Sequence, residues 1–346
     1  MRKHQYSPAF TIVELLVVIV VIGVLAAITL IAYTGVSQRA IASSLKSDLT
    51  NAATQLKLDQ VNNGSYPTTL NLANGGKGIP SSSGTTYTYA ANNVAIPPTF
   101  CITARNGNTI YKVSDNTSPS PGGCLADGVA SSGLMLDLNA GNLASYPGTG
   151  PIWLDFSNNL SNATLVNNTT YDAANGGAII FDGVSSYASI QVPNLTTVAT
   201  VEIWAKIVPC SDKMIFGWKT YDIDFSGGVG YNTAAGDMYG IPAANVTSLN
   251  IFNNWVQYIF EMRSDVSYIN NKIYINGVSQ TLSQIGGVEN SGGRNFNSGN
   301  GRIATWMAST GYFMPMAVGA FRVYNRSLTQ GEVTQNFNSV RGRYGI

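Results

Sequence analysis

Charged side chains are scarce in this sequence. Asp, Glu, Lys and Arg make up 11% of the 346 residues, and the formal net charge is +1. A protein that holds nucleic acid through its phosphates needs a basic excess, so a nucleic-acid partner is not predicted. Glycine and tyrosine are instead abundant, with 36 and 18 residues. This composition favours β-rich domains with many turns over a charged cytosolic enzyme.

Histidine and cysteine are also rare. The only histidine is His4, and the three cysteines are Cys101, Cys124 and Cys210. No two of these cysteines form a C-x-x-C pair, so the spacing does not predict a zinc site.

One long apolar run stands out near the N-terminus. Residues 10–32 contain a single charge, Glu14, and follow Arg2 and Lys3. At 1.5 Å per residue the run matches a bilayer core of about 30 Å, and the preceding positive charges predict a cytoplasmic start. A secretory signal would place its small residue after the run, whereas Ala9 precedes it. A plain membrane anchor remains an alternative, but it leaves Glu14 without a partner in lipid.

The segment AFTIVELLVVIVVIGVLAAI resembles the class III signal of type IV pilins and type II secretion pseudopilins. The resemblance implies that a prepilin peptidase cuts between Ala9 and Phe10 and methylates the new amine. With that cut, Glu14 would become the fifth residue of the mature protein. The family normally has Gly before the cut, so Ala9 is a departure that bears on cleavage efficiency.

This resemblance also implies partners and a location. The subunit would be a precursor in the cytoplasmic membrane, then pass through the inner-membrane assembly machinery into an extracellular pilus. In that helical homo-oligomer, the carboxylate of Glu14 would pair with the N-terminal amine of a neighbouring subunit and fix the register.

The apolar helix is expected to continue to residue 62 and to carry a small domain. One apolar stripe recurs at three- and four-residue steps, at Ile41, Leu45, Leu49, Ala52 and Leu56. The head, residues 63–126, contains the predicted strands TTYTYAA, TFCITAR and TIYKVS, with a hairpin turn at Asn106-Gly107.

Cys101 and Cys124 are expected to form a disulfide in this head, because an exported compartment favours the bond. Two free buried thiols are the alternative. Residues 127–132 are predicted to be a linker, and the unpaired Cys210 is interpreted as an inert buried thiol.

The remaining residues, 133–346, alternate between apolar and polar positions. In ATVEIWAKI, Val201 and Ile203 share one face while Glu202 and Trp204 share the other, and Asn276-Gly277 is a second hairpin signal. The ordered segments GLMLDLNAGN, GGAIIFDGVSSYASI, KIYINGV and VYNRSLTQGEVTQNF resemble the laminin G-like, concanavalin A-like lectin and glucanase family. The expected fold class is therefore an α+β pilin, with a long helix and a small antiparallel sheet, followed by an all-β jelly-roll sandwich.

Catalysis is not predicted. Glycoside hydrolysis usually needs two carboxylates beside the scissile bond, and glucanases of this fold place them in a Glu-x-Asp-x-x-Glu strand. None of the five glutamates lies in such a motif. Asp222 and Asp224 share one strand face, where a catalytic pair is an alternative to a hydrated or calcium-linked pair. His4 would leave with residues 1–9, so no histidine remains for acid–base chemistry.

Metal and sugar sites are less clearly marked. Related domains hold a structural calcium ion near the loop that here begins at Asp155. An acid that often completes that site is replaced by Ala320 and Phe321, and Asp182 is interpreted as a turn cap. Four aromatic residues are candidate sugar platforms or, alternatively, core residues, namely Trp218, Tyr221, Trp306 and Tyr312.

The sequence therefore predicts a non-enzymatic type IV pilus subunit that displays a sandwich domain for glycan or surface adhesion. A minor pseudopilin of a type II secretion or DNA-uptake system, with a structural or cargo-contacting sandwich, is the alternative. The fold alone does not choose between a binding and a structural sandwich.

Overall fold

A computed structural model describes residues 12–346 apart from 94–96, 108, 125–127, 158, 234–235 and 309–310. The side chains of residues 12–14, 23–36, 92 and 175 are also outside the description. The described helices are α1 (Ile12–Asn63), α2 (Ala73–Gly76), α3 (Ala243–Ser248) and α4 (Gln330–Val340).

Helix α1 has two contrasting parts. Among its described side chains, residues 15–22 are all apolar and about half exposed. Further along, Leu45, Leu49, Ala52 and Leu56 are fully buried against a small sheet. Across the described residues, no helix reaches the length and apolarity that crossing a membrane would require.

The head contains an antiparallel sheet in the order β1-β2-β3-β4. Its strands are β1 (Thr86–Asn92), β2 (Thr99–Asn106), β3 (Thr109–Ser114) and β4 (Ser120–Pro121). The side chains of Phe100, Ile102, Ala104 and Val113 face α1 and form one core with it. The structure joins Cys101 of β2 to Cys124 by a disulfide, with 5.8 Å between the Cα atoms.

The opposite face of the head sheet lies against the large domain. Ile110 of β3 is buried with Ala144, Leu154 and Phe156 in a small shared cluster. Gly123 packs so closely on the Phe156 ring that a Cβ there would collide with it. The head therefore does not stand away from the large domain.

This packing corrects the prediction that residues 127–132 form a linker. Val129 and Ala130 are buried, and the Ala130 amide donates a hydrogen bond to Asn336 Oδ1 of α4 at 2.8 Å. Apolar side chains at these two positions have a core to enter, so the described part of the segment is held against the domain instead of acting as a free spacer.

The large domain consists of many short antiparallel strands. In chain order they are β5 (Leu134–Asn139), β6 (Ile152–Trp153), β7 (Ala163–Val166), β8 (Thr170–Asp172), β9 (Ala178–Asp182), β10 (Tyr187–Gln191), β11 (Val198–Ile207), β12 (Lys213–Gly217), β13 (Tyr221–Phe225), β14 (Gly228–Thr233), β15 (Met238–Pro242), β16 (Trp255–Arg263), β17 (Lys272–Ile275), β18 (Val278–Ser279), β19 (Ser283–Gly286), β20 (Asn300–Ile303) and β21 (Pro315–Tyr324).

Two sheets share these strands and face each other. The nine-stranded sheet has the order β19-β15-β14-β13-β12-β20-β10-β7-β6, and the eight-stranded sheet has the order β18-β17-β16-β11-β21-β9-β8, with β5 also paired to β21. Alternate residues of both sheets fill one core, including Val201, Ile203, Ile223 and Ile303. The predicted alternation and the all-β sandwich architecture of this part are confirmed.

A buried charged group occupies the outer face of the eight-stranded sheet. Glu202, Arg322 and Asp137 lie opposite one another on β11, β21 and β5. Arg322 Nε is 2.9 Å from Asp137 Oδ1, and its Nη1 is 3.4 Å from Glu202 Oε1. Helix α4 covers the row, and Asn336 Nδ2 donates to Glu202 Oε2 at 2.7 Å. All three ionic groups are thus paired and hydrogen-bonded away from water.

We predict that Glu202→Ala lowers the stability of the large domain by about 3–5 kcal/mol, because the variant leaves the buried Arg322 guanidinium short of a partner. In a domain of this size, that loss corresponds to a fall of roughly 10 °C in the thermal midpoint. Lys206→Ala, on the same strand but exposed, should change the midpoint by only about 1–2 °C. Equal shifts for the two variants in calorimetry would contradict the structural role of Glu202.

Candidate functional site

A row of polar side chains crosses the outer face of the nine-stranded sheet. Strand register places Asn232, Asp222, Gly217, Arg302 and Ser189 side by side on β14, β13, β12, β20 and β10. Their sequence neighbours, such as Ile223 and Ile303, point into the core, so this row faces outward. A Cβ at Gly217 would collide with the Asp222 carboxylate, which explains why glycine occupies the middle of the row.

Aromatic side chains gather around Arg302 at one end of this row. The Arg302 guanidinium lies over the Tyr187 ring, 4.5 Å from its centroid. The ring centroids of Tyr187 and Phe313 are 6.5 Å apart. Trp306 and Tyr312 form an edge-to-face pair at 5.9 Å. We call Tyr187, Arg302, Trp306, Tyr312 and Phe313 the aromatic surface. None of the five is fully buried, and Tyr312 is 43% exposed.

The loop after β20 holds this surface in place. The amide of Ala304 donates to the Ile215 carbonyl, and the amide of Met314 donates to the Ala304 carbonyl, both at 2.9 Å. The Trp306 indole Nε1 donates to the Lys219 carbonyl at 3.0 Å, in the turn between β12 and β13. Tyr312 has φ +65°, a conformation that is costly for an aromatic residue.

Asp222 and Asp224 form a buried carboxyl pair next to the aromatic surface. Both side chains are less than 9% exposed, and the Oδ1 atom of each finds no hydrogen-bond partner among the described residues. Burial, and then repulsion by Asp224, raises the pKa of Asp222 well above its usual value. Burial also raises the pKa of Asp224, against the opposing effect of its hydrogen bond from Asn232. The pair is too enclosed to contact a ligand directly.

The four aromatic candidates from the sequence separate into two kinds. Trp218 and Tyr221 are fully buried in the core of the sandwich. Trp306 and Tyr312 belong to the aromatic surface. The sequence did not point to Tyr187, Arg302 or Phe313, which reach the same surface from β10, β20 and the loop end. Only the pairing of β10 with β20 brings them together, and that pairing spans more than a hundred residues.

Asp155, the candidate calcium ligand, is fully buried. Its Oδ1 accepts hydrogen bonds from the amides of Asp137 and Ser157, and its Oδ2 accepts them from the Ser157 hydroxyl and the Ser161 amide. Four donors use both lone pairs of each oxygen, so this carboxylate does not fit a calcium ligand. In the described part of the chain, no three His, Cys, Asp or Glu side chains form a metal-binding group. Calcium stays an untested prediction.

Two other residues singled out in the sequence, Asp182 and Cys210, have structural roles in the large domain. Asp182 accepts hydrogen bonds from the amides of Val184, Ser185 and Ser186, which hold its pKa below the usual value as in a turn cap. Cys210 is half-buried, and burial raises the pKa of its thiol to about 11. Such a thiol is not reactive at neutral pH.

Ala9, Phe10 and the Glu14 side chain lie outside the described residues. The proposed cleavage between Ala9 and Phe10 and the assembly role of Glu14 therefore stay predictions.

Comparisons with known proteins give no family. No family profile matches the chain, and no curated protein matches it. Similar solved structures include the binding domain of botulinum neurotoxin serotype D/C VPI 5993, with 14% identity and a TM-score of 0.44. The match covers 60% of this chain and 52% of that one. The binding domain of paraclostridial mosquitocidal protein 1 has 15% identity, a TM-score of 0.43 and the same coverage.

A third similar structure is the binding domain of botulinum neurotoxin DC in complex with rat synaptotagmin II, with 13% identity and a TM-score of 0.44 over 60% of this chain and 52% of that one. This chain thus spans about half the length of these domains. All three are described as binding domains. Similarity at this level carries no conclusion about a ligand.

These findings correct the identification of the chain as a type IV pilin or pseudopilin fused to a laminin G-like, concanavalin A-like domain. Neither family is matched, and the similar solved structures reported above are binding domains of botulinum neurotoxins and of a mosquitocidal protein. The apolar N-terminal pattern that carried the resemblance is short compared with the chain, and a helix of that composition is not specific to one family. What remains is a β-sandwich-like domain beside a small helix-and-sheet head.

We predict that Asp222→Asn reduces the loss of stability that accompanies a rise in pH above about 4. The raised pKa keeps the folded carboxyl protonated above about pH 4, where the unfolded chain has released its proton, so stability falls as pH rises towards the folded pKa. The amide carries no charge and removes this loss. The midpoint difference between variant and wild type should therefore grow from pH 5 to pH 8.

Asp172→Asn, at an exposed position, provides the control and should give the same difference at both pH values. A difference for Asp222→Asn that shrinks on going to pH 8 would show that the carboxyl is ionised in the folded protein.

We predict that calcium leaves the thermal midpoint of the protein unchanged relative to a chelator, because protein donors already occupy the Asp155 oxygens. Calorimetry in calcium chloride and in EDTA measures the difference. A midpoint that rises with calcium in the wild type but not in Asp155→Asn would establish the calcium site instead.

Proposed function

We propose that the large domain is a carbohydrate-binding adhesion module that acts outside the cell. The observation that carries this proposal is the aromatic surface on the nine-stranded sheet, where one guanidinium group lies over the Tyr187 ring and further incompletely buried rings lie nearby. Soluble domains normally bury such rings, and several partly exposed together around a charge are typical of a recognition surface.

The chemistry of this surface suits a sugar. A pyranose presents an apolar face of C–H groups and a rim of hydroxyls. The Trp306 and Tyr312 rings supply flat apolar area at little cost in conformational entropy, since each has only two side-chain torsions. The guanidinium of Arg302 and the Tyr312 hydroxyl supply directional hydrogen bonds at the edges of that area.

The disulfide and the composition support the proposed location outside the cell. A bond such as Cys101–Cys124 persists in oxidising compartments, and the low content of charged residues with many Gly, Asn and Tyr agrees with an exported domain. Attachment of a cell to a glycan-coated surface is the role that we propose for the module. A purely structural shield is the alternative.

A glycan array probed with the full chain tests this proposal. We expect Trp306→Ala to weaken binding to the selected glycans by at least about tenfold, since a lost aromatic contact of roughly 1.4 kcal/mol gives that factor. Tyr312→Asn should act in the same direction, and Asn tolerates the positive φ at this position. Thermal midpoints should stay near that of the wild type.

Val288→Ala is the matched control, because Val288 is 83% exposed and lies outside the aromatic surface. It should bind like the wild type. If the wild type binds no glycan on the array, or if Trp306→Ala binds as well as Val288→Ala, the aromatic surface is not a sugar site and the structural alternative gains support.

A further inference from the structure

A second concave site lies between the head and the large domain. The cleft has a volume of about 840 Å³, within the range of pockets that hold small ligands. One wall comes from β1 and β2 of the head, and the other from the loop after β5 and the segment after α4. The residues on which its chemistry depends are Thr86, Thr88, Arg105, Leu143 and Arg343.

Arg105 reaches across the cleft from the head. Its Nε donates to the Gly107 carbonyl at 2.9 Å, and its Nη1 donates to the carbonyls of Leu143 and Ala144 at 3.3 and 3.5 Å. These acceptors are neutral. Burial lowers the pKa of this arginine.

Arg343 enters the same cleft from the large domain. Its Nη1 donates to Asn139 Oδ1 at 2.6 Å, and its Nη2 donates to the Gly177 carbonyl at 3.0 Å. Its Nε is buried without a hydrogen-bond partner among the described residues. A Cβ at Gly141 would collide with this guanidinium, so the glycine in the loop after β5 leaves space for the Arg343 side chain.

Among the residues that the structure describes, no carboxylate balances these two charges at the cleft. The residues that line it include no Asp or Glu, and neither Arg105 nor Arg343 forms an ion pair with any described acid. Two guanidinium groups with only neutral acceptors, in a partly enclosed space, attract an anion more strongly than they would in open water.

We propose that this cleft binds an anionic saccharide unit, with its carboxylate or sulfate directed at Arg105 and Arg343. The exposed side chains of Thr86 and Thr88 are placed to bond the neutral hydroxyls of the sugar. Leu143 is 64% exposed on the rim and offers an apolar contact to the ring. This site is separate from the aromatic surface, and it requires both domains.

The test is calorimetric titration of the full chain, kept in a mild detergent because residues 15–22 expose apolar side chains. The probes are sodium glucuronate, glucose 6-sulfate, glucose and inorganic sulfate. We expect one or both anionic sugars to bind at least tenfold more tightly than glucose and sulfate, and we expect their affinity to fall as salt is added.

Leu143 provides a matched pair of variants that leave the fold intact, because its side chain is largely exposed. Leu143→Glu places a negative charge on the rim and should weaken binding of the anionic sugars by at least tenfold, whereas Leu143→Lys should preserve it. Arg105→Gln should weaken binding similarly, with Arg263→Gln, in a surface ion pair with Asp265, as its unchanged control.

The outcomes separate this proposal from the one on the aromatic surface. Loss of binding in Leu143→Glu but not in Trp306→Ala supports the cleft, whatever the glycan array shows. Absence of binding by both anionic sugars, equal binding of inorganic sulfate, or equal affinities in Leu143→Glu and Leu143→Lys would overturn it.

Discussion

The buried carboxylate of Glu202 is the interaction on which the large domain is assembled. Its Oε1 accepts hydrogen bonds from Trp204 Nε1 at 3.0 Å and Gln257 Nε2 at 2.9 Å, in addition to its contact with Arg322. Its Oε2 accepts one from Asn336. Two neighbouring strands and helix α4 therefore meet at one charged group. Removing this carboxylate would leave its hydrogen-bonding partners buried without their acceptor. In the intact domain these groups are hydrogen-bonded to one another.

Helix α4 in turn fixes the entry of the chain into the large domain. Asn336 accepts from the Ala130 amide and donates to the Tyr324 hydroxyl as well as to Glu202. Trp204 stacks on Phe337 at 5.9 Å and on Tyr344 at 5.0 Å, so the C-terminal segment also covers the sheet through its rings. The position of the head depends on this arrangement, because the segment that follows the head is anchored under α4.

Local patterns predicted the local structure well. The alternation in ATVEIWAKI specified which side chains of β11 enter the core, and Asn276-Gly277 forms its turn with positive φ at both residues. The same alternation placed Glu202 and Trp204 on the opposite face, but it could not show that α4 covers that face. The burial of the Glu202 charge depends on Asn336 of α4, which lies more than a hundred residues further along the chain.

Long-range pairing also explains what was missed at the candidate sites. Trp218 and Trp306 are alike in sequence terms, and only the sheet order puts the first in the core and the second at the surface. The composition of residues 127–132 is that of a spacer, yet two apolar side chains were enough to bind it to the domain. Arg105 and Arg343 come from different domains, so no local window contains the cleft. The N-terminal pattern was the strongest local signal and led to a family that the comparisons do not support.

The disulfide has a mechanical consequence. Cys101 lies in β2 and Cys124 lies just before the segment that enters the large domain. A pulling force applied between α1 and the large domain would pass directly through the sulfur–sulfur bond, and residues 102–123 would carry no tension. Strands β3 and β4 are thereby shielded from load. Strand β1, which lies before Cys101 and forms part of the cleft wall, has no such protection and would bear the load.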